Sequence, residues 1–407
     1  MRLMGLMRLM GPMGLMGHMR HVCLMGLIGL MGQGLIGCSS DEERPWDNLQ
    51  SADAPIEVTS YVKWLEDLDG ANGARGANGA YGAYETTRAW EPPTGYSLFE
   101  EPDEHIGIAF TQNGQKPQQG NFFKSGSKWR TNVGDITAGT YYLYGYQPNS
   151  PSIGYGITDR DGANANYSAG AKVTLENVPA VMSGDLCVVI GAKDGTDKET
   201  VTGLRRGDFA YNAKTIDGEV DNGNYVFLLF DHLYAALRVK MRVHGSYDAL
   251  RTIKLKSLCL KIKAGDTPST TKTDILVDLK ATEGDNPIQS ITYTSPVGAV
   301  AITDPLEFWS SAAGEKLTTE FSTHVGHFMP KDITTLILTS KYDVYDKKDN
   351  LIRKDCMATN TMVLNDLLTG QTTTRRGCRY TVNMTIKPTY LYVMSEPDLD
   401  SPTVTVE

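Results

Sequence analysis

The chain has 407 residues, of which 41% are hydrophobic, and a formal net charge of -9, with 41 Gly and 20 Tyr. That composition suits a globular, mildly acidic protein long enough for two ordinary domains, and it offers no basic stripe of the kind nucleic acid requires. Six cysteines are present, and those beyond Cys38 (Cys187, Cys259, Cys356 and Cys378) show no close pair at metal-ligand spacing.

The first 37 residues contain no acidic group, and Arg2, Arg8, Arg20 and His21 all precede the most apolar run, Cys23 to Met31. A positive start, a short apolar stretch and a small-residue exit are what secretion machinery reads, and the segment is too short and Gly-rich for a good membrane-spanning helix. It ends in Leu35-Ile36-Gly37-Cys38, which resembles a bacterial lipobox. The resemblance implies cleavage between Gly37 and Cys38 and acylation of Cys38, and two or more acyl chains hold a protein stably on a bilayer. Met19 is an alternative start that would give a more ordinary signal. The acidic run Ser39-Ser40-Asp41-Glu42-Glu43 resembles the surface-export tag of Bacteroidota lipoproteins.

Residues 38–54 read as a tether. Ile56 to Trp64 then alternates, with Ile56, Val58, Val62 and Trp64 on one face, as a half-buried strand does. Residues 67–84 carry a near-repeat of Gly-Ala-Asn-Gly-Ala that buries almost nothing, so a loop is expected there. Further strands are predicted at His105–Thr111, Thr140–Tyr146, Ala171–Val178 and Leu186–Ile190. After a turn-rich stretch come Tyr225–Phe230, Leu237–Val243, Leu255–Ile262, Asp274–Leu279, Thr334–Tyr345 and Tyr380–Ile386. A helical turn is expected within Asp231–Leu237, and Thr361–Leu368 reads as either a helical turn or a bent strand. Many short strands with polar turns predict an all-β protein of antiparallel sandwiches. The domains expected are a signal peptide (1–37), a tether (38–54), and β-sandwiches at 55–205 and 206–407.

Sites of chemistry are sparse. His324 and His327 could face one metal on a helix, but Gly326 and Pro330 argue against a helix. Asp159 to Asn166 is oxygen-rich like a calcium loop yet has Gly170 at the closing position, so an Asp/Asn turn is the better reading. His232 is read as a structural histidine, Cys187 and Cys259 as core residues, and Cys356 and Cys378 as a candidate disulfide. No catalytic motif, bound metal or cofactor is expected, and the chain is not read as an enzyme.

Several stretches together resemble the fimbrillin family of Bacteroidota, the subunits of type V pili. They are the lipobox before the first strand; Thr87-Arg88-Ala89; Glu104-His105-Ile106-Gly107-Ile108; Lys128-Trp129; Tyr141 to Pro148; Asp185 to Val189; Phe230-Asp231-His232; and the tail from Pro388 to Asp400. The resemblance implies two tandem transthyretin-like sandwiches in a protein that reaches the outer membrane as a lipoprotein. An Arg-specific protease then removes the N-terminus with the first strand, and a neighbour's strand fills the groove, a form of β-strand addition. Cleavage would fall at Arg88-Ala89, with Arg75-Gly76 as second candidate, and the donor strand would lie in residues 388–407. The partners implied are other fimbrial subunits, in homo- or heteropolymers, and a host or bacterial surface ligand. The alternative is an outer-membrane surface lipoprotein that binds glycans without polymerising.

Overall fold

The computed structural model describes residues 54–64, 96–99, 105–216, 222–367 and 372–387, and the backbone of 398–399 and 403–406. Cys38, Arg75, Arg88 and the 67–84 repeat lie outside the described residues.

The chain begins with β1 (Ala54–Pro55), β2 (Glu57–Val62), β3 (Ser97–Leu98), β4 (His105–Thr111), β5 (Gln118–Ser125), β6 (Lys128–Thr131) and β7 (Gly139–Gln147). It continues through β8 (Gly154–Asp159), β9 (Gly170–Pro179), β10 (Val181–Met182), β11 (Cys187–Asp194), β12 (Ala210–Ala213), β13 (Tyr225–His232) and β14 (Ala235–Val243). Next are β15 (Thr252–Ala264), β16 (Thr267–Pro268), β17 (Lys272–Lys280), β18 (Ile288–Thr294), β19 (Leu306–Lys316), β20 (Ser322–Phe328) and β21 (Thr335–Tyr345). The last are β22 (Leu351–Val363), β23 (Arg379–Lys387), β24 (Asp398–Leu399) and β25 (Thr403–Val406). The fold is all-β, as the alternation predicts.

The first sheet runs β1-β6-β5-β4-β7-β11-β13-β2-β3, with β12 beside β7. Its central strands β4, β11 and β13 are buried on both faces, as in Cys187 to Ile190, all fully buried. The two faces serve two cores. Ile56, Val58, Val62, Ile108, Phe110, Leu228 and Phe230 meet in an inner core drawn wholly from this sheet and its loops. Tyr61, Tyr144, Tyr146, Val188, Phe227 and Leu229 join a larger core shared with the other sheets. The Ile106-Gly107 step has a packing reason, since a Cβ at Gly107 would stand 2.5 Å from the Tyr146 ring.

The other sheets run β10-β20-β14-β23-β24 with β25 on β23, β16-β15-β21-β22 with β19 on β15, and β18-β17-β9-β8. The β9–β17 pairing joins strands from both sides of residue 205. In β14, Leu237, Val239 and Met241 are buried while Arg242 is exposed, so the apolar/basic alternation becomes one dry and one wet face. β15 changes phase midway: Ile253 and Leu255 are buried, then Leu258, Leu260 and Ile262. A bulge between Leu255 and Ser257 absorbs the extra residue, and it appears in the pairing with both neighbours. Two pairings, β2 with β13 and β14 with β23, are parallel, which antiparallel sandwiches alone do not predict.

The expected helical turn within Asp231–Leu237 is a correction: β13 runs through His232, and only Leu233-Tyr234 bend before β14 begins. Here the chain leaves the first sheet and enters the second, and both bend residues are buried. Of the predicted Thr361–Leu368, Thr361 to Val363 end β22 and Leu364–Leu367 form a helical turn, α1. Cys356 and Cys378 are thiols, as are Cys187 and Cys259. Among the described residues no helix is long and apolar enough to cross a membrane.

Candidate functional site: the first strand and its polar seam

β2 lies parallel to β13, from Tyr225 opposite Glu57 to Phe230 opposite Val62. Its other edge meets β3 at two positions, Tyr61 with Leu98 and Val62 with Ser97. The Glu57 amide donates to the Asn224 carbonyl at 3.0 Å, and the Phe99 amide to the Ser60 carbonyl at 2.9 Å. Ile56, Val58 and Val62 are 2%, 7% and 5% exposed, so the predicted face does enter a core. Ser60, on the same face, is buried too; the opposite face is not wet either, with Tyr61 buried and Glu57 and Thr59 half-buried.

Trp64, two residues past the strand, is half-buried and ends it on a polar seam. Its ring stacks on His232 with centroids 3.7 Å apart and reaches His327 at 6.1 Å, while the Arg379 guanidinium lies 4.4 Å from the Trp64 ring centroid. Aromatic stacking and a cation over the ring face each favour such a placement.

Beneath Trp64 the Asp185, Cys187, His232 and His327 side chains of the seam are buried. His232 Nδ1 lies 2.6 Å from Asp185 Oδ2 and 3.4 Å from Cys187 Sγ. Burial would push the Asp185 carboxyl up, but His232, His327 and Cys187 together outweigh it and hold the group below its ordinary range. His327 Nδ1 is 2.7 Å from the Ser183 carbonyl, and burial pushes its pKa down against the pull of Asp185. Asp231 receives Arg376 at 3.0 Å and Arg206 at 3.6 Å, and Arg376 Nη1 also donates to the His232 carbonyl at 3.1 Å. The Tyr234 hydroxyl donates to the Pro179 carbonyl.

The convergence has a local cause. Asp185 stands two residues before Cys187, the first residue of β11, and the β11–β13 register sets Cys187 opposite His232. Sequence reasoning placed Cys187 in the core and His232 as structural but missed that Asp185 joins them. The Asp-x-Cys spacing was a visible signal; the cross-strand register was not.

The other predicted positions separate. His324 and His327, three apart on β20, cannot share a face of a strand; His324 instead meets Trp309 at 4.1 Å and Glu315 at 3.6 Å. Asp159, fully buried, accepts from the amides of Asn164, Ala165 and Asn166 at 3.1, 2.8 and 3.1 Å, as an Asp/Asn turn requires. Burial works against its charge, and the amides outweigh burial, leaving the carboxyl below its ordinary range. Cys38, Gly37, Arg75, Gly76, Arg88 and Ala89 lie outside the described residues; the two arginines fall in the stretch 65–95 that links β2 to β3. β25 pairs with β23, Val404 opposite Val382 and Val406 opposite Tyr380.

No family model matches the chain, and no curated protein matches it. Solved structures that it resembles at low identity include ones from Bacteroides and Porphyromonas named for cell adhesion or fimbriae. One, named provisionally as a cell adhesion protein, is from Bacteroides uniformis ATCC 8492; it is 13% identical, with 89% of this chain and 99% of that chain covered and a TM-score of 0.35. A fimbrial protein from Bacteroides vulgatus ATCC 8482 is 14% identical over 73% of this chain and 92% of that chain, with a TM-score of 0.27. The tip fimbrial protein Mfa3 from Porphyromonas gingivalis, truncated at its C-terminus, is 9% identical over 75% and 92%, also with a TM-score of 0.27.

Proposed function

We propose that this chain is a non-catalytic subunit of a bacterial surface fimbria that serves adhesion. In this reading it is exported as a lipoprotein through Cys38 and opened for assembly by removal of β2. The observation that carries the reading is the seating of β2. It lies near the start of the described chain, after only the two-residue β1, runs parallel on β13, and meets β3 at only two residue pairs on its other edge. Its loss would leave an edge of β13 unpaired, beside inner-core positions vacated by Ile56, Val58 and Val62. Such a groove suits an incoming strand, with backbone hydrogen bonds for affinity and alternate side chains for register. A head-to-tail contact of this kind does not close and yields a filament.

The test is to treat the purified protein with an Arg-specific protease, sequence the new N-terminus, and run unboiled samples on a denaturing gel. A cut at Arg88-Ala89 or Arg75-Gly76 with laddered oligomers is the expected result. A clean cut that leaves only monomer overturns polymerisation. A second reading, a tip or anchor subunit, is favoured by the pairing of β25 with the chain's own β23. It expects the cut protein to take up a strand from another subunit without laddering alone.

A further inference from the structure

We propose that Asp185, Cys187 and His232 form a binding site for a single zinc-class transition-metal ion, buried beneath Trp64. The donor atoms of the three side chains all lie within 4.8 Å of one another. The side chains of Asp185 and His232 are 1% and 0% exposed, and Cys187 is fully buried. Thiolate, imidazole and carboxylate together are the donor set that suits zinc, and the two anionic donors balance the charge of a divalent ion.

Asp185 Oδ1 supplies the second observation. It is buried with no hydrogen-bond partner, as is His232 Nε2. An unpartnered carboxylate oxygen in a dry site is costly, and the His232–Asp185 contact through Oδ2 does nothing for it. A carboxylate that binds an ion through both oxygens uses Oδ1, and then Oδ1, Oδ2, Nδ1 and Sγ make four donors. Metal–ligand bonds of about 2.0–2.3 Å set donor atoms somewhat more than 3 Å apart. Cys187 Sγ already stands 3.4 Å from Nδ1, the 2.6 Å Nδ1–Oδ2 contact has to open by a few tenths of an ångström, and the donor atoms of the three side chains start within 4.8 Å of one another. The ion takes the place of the Sγ proton and of the proton between Nδ1 and Oδ2, both of which pass to solvent. Because the Trp64 ring covers His232, loading occurs as the chain folds, and binding contributes to folding.

The test uses the full chain, unfolded in denaturant and refolded with one equivalent of Co²⁺ or Zn²⁺, or with chelator. We expect one ion per chain by elemental analysis after desalting. With Co²⁺ we also expect a thiolate-to-metal charge-transfer band, and the denaturation midpoint should rise relative to the chelator sample. Cys187→Ser should abolish the band and Asp185→Asn should weaken affinity at least about tenfold, while Cys356→Ser and Cys378→Ser leave both unchanged. A wild-type protein that refolds without retained metal and without the band overturns the proposal, as does a band that survives Cys187→Ser. Should Cys187→Ser fail to fold, the wild-type cobalt spectrum decides by itself.

Discussion

At the scale of single residues, the buried imidazoles set how the protein answers acid. His324 and His327 both have pKa values pushed below the ordinary histidine value by burial. A histidine held neutral in the fold and free to charge when unfolded binds more protons in the unfolded chain. Stability therefore falls as pH drops below about 6.5, the unfolded value, and keeps falling until the folded pKa is reached. The Asp185 carboxyl, depressed in the fold, adds a second loss only below about 3.9. Thermal melts should drop between about pH 7.5 and about pH 5.5, and His327→Gln should shrink that drop. A His327→Gln protein with the wild-type pH dependence would show that this group is not responsible.

Trp64 is the other residue with a measurable consequence. It is the last described residue of the first segment, and its ring rests on His232 and His327 with Arg379 close by. Removing a half-buried indole with these contacts should cost about 1–3 kcal/mol. Trp64→Ala should lower the denaturant midpoint by that amount and hasten amide exchange in β2 more than in β15. Uniform exchange across both strands would mean that Trp64 does not hold the first strand in place.

At the scale of elements, the bulge in β15 allows a sharp prediction. Lys256 is the extra residue between Leu255 and Ser257. Deleting it restores simple alternation from Ile253 to Ile262, so the deletion should cost under about 1.5 kcal/mol. Inserting one residue after Cys259 turns Leu260 and Ile262 toward water and should cost several times more, because a one-residue slip flips every later side chain. Urea unfolding of both variants checks the contrast.

Which elements could be read in advance follows from how their faces are wetted. β4, β7, β14 and β17 were legible because dry and wet positions alternate, or because the run is continuously apolar. β18 and β22 escaped because most of their side chains are exposed, so no apolar period marks them. β22 is held instead by backbone pairing with β21, which leaves no trace in composition. The seam escaped for a related reason: Asp185 lies just before β11 while His232 ends β13, and it is the register of β11 on β13, Cys187 opposite His232, that brings the two side chains to 2.6 Å.

At the scale of the whole molecule, the larger core is common ground. Residues of the first sheet and of the three others contribute to it, so strands on both sides of residue 205 share buried surface. The inner core is private to the first sheet. The proposed loss of β2 therefore has an expected limit. Amides of β13 should lose protection after Arg-specific cleavage, while those of β15 and β21 keep theirs, as mass spectrometry of exchanged peptides would show. Global loss of protection would mean that the first strand is needed for the whole fold.

The parallel pairing of β2 with β13 also fixes an order of events. A ribosome delivers the N-terminus first, so β2 exists long before the strand that holds it has been made. Until Tyr225–His232 arrives, an apolar segment ending in Trp64 is unclaimed, and pairing across so much intervening chain is slow. A strand made early is thus among the last to be placed, and a chaperone that guards nascent β2 would act at the step where this protein is most exposed to misassembly.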